Sequence, residues 1–94
     1  MFARTVKQLR ELVRRGCCVM TTHADEEADA DELSVFDVES AVLTGDIVER
    51  QNDTRSREWR YVISGRAIDG RRIGVVAKIG SSGRVLYIIT VYAE

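Results

Sequence analysis

Proline is absent from this chain, and its cysteines are one adjacent pair, Cys17 and Cys18. Neighbouring cysteines are poorly placed to bond each other, because a disulfide wants its α-carbons several ångströms apart across a turned chain. The pair therefore reads as small apolar residues entering a strand, and nothing resembles a Cys-x-x-Cys redox site. Reduced thiols, with no hydrophobic stretch in the N-terminal Met1–Lys7, lead to the expectation of a cytoplasmic protein without a secretory signal. No apolar run approaches the ~20 residues of a membrane helix, so no membrane partner is expected. There is a single histidine, His23, and there is no zinc-ligand spacing, Walker loop, G-x-G-x-x-G or G-x-S-x-G. The P-loop, dinucleotide, zinc and serine-hydrolase signatures are thereby removed.

What remains has the make-up of a globular domain. Apolar residues are 45% of the 94 and charged residues 31%, enough for one core and too little for two. We therefore treat residues 1–94 as a single domain. A net charge of −1 conceals strong polarisation: +4 over residues 1–22, −10 over 23–49 and +5 over 50–94. Local fields of that kind matter more than the sum.

The pattern predicts helices first and strands after. Thr5 can cap a helix in which Phe2, Val6, Leu9 and Val13 recur at helical spacing, with Gly16 ending it. Cys17–Thr22 reads as a strand. Residues 24–32, rich in acids and with almost nothing to bury, read as one or two helical turns or as an acidic loop. Ser34 with Asp37 forms a capping signal before Val35, Val38, Ala41 and Val42, and Gly45 closes that helix. Strands are then expected over 46–51, 59–66, 72–79 and 84–92, separated by a polar loop at 52–56, an Asp69-Gly70 hairpin turn and a turn at 80–83. The fold class is α+β: two N-terminal helices on one face of a three- to four-stranded antiparallel sheet.

Alternation along a strand sorts the last three strands into two faces. One carries Trp59, Tyr61, Ile63, Ile73, Val75, Ala77, Ile79, Val85, Tyr87, Ile89 and Val91 and is expected under the helices. The other carries Arg60, Arg66, Arg72, Lys78 and Arg84 with no acid, together with Leu86, Ile88, Thr90 and Tyr92. It reads either as a solvated sheet face or as an electropositive platform for a phosphate backbone.

Six stretches carry a resemblance: Thr21-Thr22-His23-Ala24, Leu33–Val38, Leu43–Glu49, Arg60–Gly65, Ile73–Val76 and Ile88–Tyr92. In order and spacing they resemble a bacterial family of small proteins labelled a domain of unknown function. That family is similar to the RelE, BrnT and MqsR class of toxin ribonucleases, and its members are often encoded beside zinc-ribbon antitoxins. The resemblance implies a RelE/BrnT-like fold, RNA as substrate, an antitoxin protein as partner and no metal or other cofactor. Where the family places arginines four and eight residues after the histidine, this chain has Glu27 and Asp31. Where the family has a second histidine, it has Gly74.

In such ribonucleases the RNA 2′-hydroxyl attacks its own phosphate. That chemistry needs a base, an acid and cations around the developing charge. The resemblance points to His23, Arg60 and Tyr92 as the catalytic set, and the basic sheet face read from strand parity offers Arg66, Arg72, Lys78 and Arg84 as phosphate contacts. An ion pair with Glu58 or an acid of the first strand is the structural alternative for Arg60. A helix over 23–31 would align His23, Glu27 and Asp31 in a stripe able to take a divalent cation. The missing arginines favour a second reading, a non-catalytic member of the fold whose acidic segment meets the basic sheet of another copy as a homo-oligomer.

Overall fold

A computed structural model describes residues 2–55 and 58–94. In chain order it places α1 (Ala3–Arg14), β1 (Cys18–Met20), α2 (Thr22–Ala30), α3 (Val35–Thr44), β2 (Asp46–Asp53), β3 (Glu58–Arg66), β4 (Arg72–Ile79) and β5 (Leu86–Ala93). The strands form one sheet in the order β1-β5-β4-β3-β2. Strands β2 to β5 run antiparallel, and β1 lies parallel to β5 with Cys18 opposite Leu86. The class is α+β as expected. The counts are not: among the described residues there are three helices rather than two, and five strands in a mixed sheet.

The helices share one face of the sheet and one core, centred on Leu9, Val38, Ile63, Ile73, Val75, Leu86, Ile88 and Val91, none more than 1% exposed. Helix α1 starts at Ala3 behind Phe2, without a side-chain cap, so Thr5 lies inside the helix rather than before it. It ends where Gly16 turns at φ 72°. The acidic segment is helical, and its buried stripe is Ala24 and Ala28, four residues apart. Two methyl groups suffice because α2 lies directly on β5.

Strand β1 is shorter than Cys17–Thr22 because Thr21 has another task. Its hydroxyl accepts the Ala24 N–H (3.2 Å) to cap α2 and donates to the Ile88 carbonyl (2.8 Å). The capping box at α3 is present: the Ser34 hydroxyl accepts the Asp37 N–H, and the Asp37 carboxylate accepts the Ser34 N–H at 2.9 Å. Helix α3 sits against β3 where Gly45 and Gly65 leave no side chain in the way of Ala41 and Ser64. Ser40 donates to the Arg66 carbonyl, and the Thr44 hydroxyl accepts the Arg66 N–H.

Two bulges alter the sheet's parity. In β2 the register shifts between Ile47 and Glu49, leaving Val48 exposed. In β5 Val76 faces Thr90, whereas Ala77 faces Ile88, so Ile89 is the extra residue. Strict alternation therefore misplaces half of β5. Leu86 and Ile88 belong to the helix-covered core, while Tyr87 and Ile89 turn outward with Lys78. Trp59, expected in the core, is 40% exposed, and the Arg50 guanidinium stacks over its ring at 3.9 Å. The loop expected at 52–56 begins later, since Asn52 and Asp53 continue β2; Ser56 lies outside the described residues.

Candidate active site and the open sheet face

The groups picked out in the sequence fall into three places. The first is the β5 edge. Because β1 stops at Met20, the last part of β5 has no strand on the side away from β4. Helix α2 takes over there: the Glu27 carboxylate accepts the Val91 N–H at 3.1 Å. The same carboxylate oxygen holds His23 Nε2 at 3.2 Å. The histidine side chain is 67% exposed, and its Nδ1 has no partner among the described residues. A carboxylate anchored to the backbone and orienting an exposed imidazole is a recognised way to arrange a proton-transfer group. Glu27 stands where the resemblance leads one to expect an arginine. The i, i+4 spacing was visible in the sequence, but the contact with Val91 across 64 positions was not.

Asp31, the third member of the acidic stripe, is exposed at the C-cap of α2, where its N–H bonds the Glu27 carbonyl at 3.3 Å, and among the described residues its carboxylate makes no hydrogen bond or ion pair with the side chains of the other two. Among the described residues no group of three or more His, Cys, Asp or Glu side chains is placed to hold a metal ion.

The second place is the sheet face away from the helices. It is less basic than the three-strand reading implied, because β2 and the strand ends bring acids onto it. Arg60 is in an ion pair, but with Asp53 of the expected loop at 3.1 Å rather than with Glu58, which pairs with Lys78 at 2.8 Å. Arg72 donates to the Ser64 hydroxyl, which in turn donates to the Glu94 carboxylate. Arg66 donates to the Gly70 carbonyl in the hairpin loop. Tyr92 lies flat over Gly74, where any β-carbon would overlap its ring. Tyr92 and Arg60 do not share a centre. Gly74, opposite Tyr92, faces Ser64 in the ladder, and Arg60 lies four residues further along β3, ~13 Å away at strand rise.

The third place is the end of that face at the β4–β5 turn. Here a cleft of about 520 Å³ is bounded by Tyr87, Lys78, Glu58, Ser81, Ser82 and Thr21. Arg84 belongs to this turn, not to β5, and is exposed. The structure thus brings Lys78 and Arg84 to one end of the sheet and Arg66 and Arg72 to the other. Tyr87 escaped the sequence reading because parity put it in the core; only the bulge at Ile89 corrects that.

Elsewhere, Asp37 and Cys18 are titratable groups set by the fold. The Asp37 carboxyl is held below the usual carboxylate range by the Ser34 N–H first, then by the Ile68 N–H, the Ser34 hydroxyl and the Arg71 charge. Burial, helped by the Glu39 charge, pushes the Cys18 thiol up to about 11, and both cysteines are free. No helix among the described residues is long and apolar enough to cross a membrane.

Residues 20–93 match the model of a domain of unknown function, DUF4258, and the chain belongs to that family. The matched span holds α2, the whole antiparallel sheet and all three places just described; α1 precedes it. No curated protein and no solved structure matches the chain significantly.

Proposed function

We propose that this chain is an RNA-directed domain of the toxin–antitoxin kind, a metal-independent ribonuclease in which His23 moves the proton. The observation that carries this reading is the His23–Glu27 pair: an exposed imidazole oriented by a carboxylate that is itself fixed to β5. The 2′-hydroxyl gives its proton to His23 as its oxygen attacks the adjacent phosphorus. The P–O5′ bond breaks, O5′ takes up a proton, and a 2′,3′-cyclic phosphate and a 5′-hydroxyl result. Glu27 stabilises the imidazolium that forms. Tyr92, which with Thr90 flanks the Val91 that anchors Glu27, is the hydroxyl proposed to supply the proton to O5′. A cytoplasmic setting suits such a substrate and the two free thiols.

The test is incubation of purified protein with RNA in excess chelator, with product ends identified. Cyclic phosphate ends that vanish in His23→Ala, with cleavage reduced ~10²-fold or more, support the proposal. Cleavage that persists in His23→Ala overturns it.

One observation favours a second reading, the non-catalytic interaction module. Arg60, Lys78 and Arg72 already have acidic or hydroxyl partners on the sheet face, so much of the field available to a phosphate backbone is spent internally. A salt-sensitive oligomer seen by sedimentation, together with inert behaviour toward RNA, would favour it over the first.

A further inference from the structure

We infer that the cleft at the β4–β5 turn binds a nucleotide, its base against Tyr87 and its phosphate at Lys78 and the Ser81-Ser82 turn. The site lies on the opposite face of the sheet from the helices and includes none of the residues that the resemblance singles out for catalysis. Its size, about 520 Å³, falls within the ~300–1,000 Å³ of small-molecule sites.

The fold builds each wall for a separate reason. The bulge at Ile89 flips the parity of β5 and turns Tyr87 out of the core, beside Lys78 in the ladder. Gly80 then lets the ring lie close: a β-carbon there would meet Tyr87 Cε2 at 3.0 Å. Val19 of β1, 45% exposed, stands opposite Tyr87 on its other side. Within the cleft, Ile89 joins Tyr87 to make the apolar flank for a flat ligand, and aromatic side chains are the usual stacking platform for an unpaired base. The turn is held closed by the Gly80 N–H on the Val85 carbonyl (2.8 Å) and by the Gly83 N–H on the Gly80 carbonyl (2.9 Å), with Gly83 at φ 74°. Both serines of that turn line the cleft, and the Ser82 hydroxyl, which accepts the Arg84 N–H at 3.2 Å, keeps its own proton to donate. The Lys78 ammonium, 2.8 Å from Glu58, has three donors and can serve a phosphate oxygen as well as the carboxylate. An aromatic wall, an ammonium and two hydroxyls within one cleft match a nucleoside phosphate better than a bare anion or an apolar ligand.

The ligand is either one unit of a single-stranded RNA or a free nucleotide. The first source rests on the RNA-directed reading; the second does not. Thr21, which caps α2, closes the cleft two residues before His23.

The experiment is a nuclear magnetic resonance titration of the full chain with adenosine 5′-monophosphate, a short single-stranded oligoribonucleotide and inorganic phosphate in turn. Expected are shifts of the amides of residues 80–84 and 87 with both nucleotide ligands. Tyr87→Leu and Lys78→Gln should weaken them at least tenfold, and Tyr87→Phe should stay within about twofold. Spectra of each variant report whether it is folded. Monophosphate binding in the cleft without oligonucleotide binding keeps the nucleotide site and removes the RNA-directed reading. Oligonucleotide binding indifferent to Tyr87→Leu and Lys78→Gln overturns the site and leaves that reading standing. Inorganic phosphate that binds as tightly as the monophosphate also overturns it, since the aromatic wall would then contribute nothing.

Discussion

A methyl group at Gly65 would overlap the carbonyl and α-carbon of Ala41, so α3 can rest on β3 only because this residue has no side chain. Backbone on both sides cannot yield, and Gly65→Ala should cost about 3 kcal/mol or more, as strongly overpacked sites do. At Gly74 the obstructing atoms are the mobile end of Tyr92. Gly74→Ala should cost less than about 1 kcal/mol and should instead displace the ring. Urea unfolding midpoints of the two variants, compared at equal m-values, check the contrast. Asp37 gives the pH dependence at this scale. Its carboxyl is held below the usual range by the Ser34 and Ile68 N–H groups. The unfolded chain therefore binds this proton more readily than the folded one. The stability it contributes is full above the ordinary carboxylate value and is lost as pH falls through the lower folded value. Asp37→Ala should lower stability by about 1 kcal/mol near neutral pH and by progressively less on acidification below pH ~4. Urea titrations at several pH values would show a constant difference if the cap does not act through its charge.

Among the elements, α2 shows most clearly what could and could not be read from sequence. The capping box at Ser34 and Asp37 was legible because its partners are three residues apart. So were the turns at Asp69-Gly70 and at residues 80–83, and β4 over 72–79. The helicity of residues 22–30 was not settled, because its driving force is the burial of Ala24 and Ala28 against β5, a long-range event. The bulge at Ile89 was invisible for the same reason: nothing local distinguishes Ile88 from Ile89, and the choice follows from pairing with Ala77. That single insertion moved Leu86 and Ile88 into the core and Tyr87 out of it. Of the candidate site, His23 and its spacing to Glu27 were legible, whereas the anchoring of Glu27 on Val91 was not. Removing that anchor exposes its worth. Glu27→Ala leaves the Val91 N–H without its acceptor and should cost about 1–3 kcal/mol, whereas Glu27→Gln retains an acceptor and should cost less. Hydrogen exchange at Val91 should accelerate in Glu27→Ala; unchanged protection there would mean that α2 does not secure this edge.

Taken as a whole, the molecule has a helix-covered face that supplies stability and an open face on which two cations, Arg60 and Lys78, are matched by acids. Charge segregation along the chain, so marked in the sequence, is thus partly cancelled in space where Arg60 meets Asp53 and Lys78 meets Glu58. The described residues hold no cluster for a metal, so thermal melts should be unmoved by chelator or by millimolar magnesium or manganese. A rise of several degrees with either ion would indicate a site that the His23–Glu27–Asp31 stripe does not form. In the function proposed here, the imidazole at the β5 edge acts on what the open face seats beside it. The most direct measurement is growth after induced expression of the wild-type chain, of His23→Ala and of Glu27→Gln, with soluble protein levels matched. The account predicts arrest by the wild type, relief by His23→Ala and partial relief by Glu27→Gln. A harmless wild type, or arrest that persists unchanged in His23→Ala, would contradict it.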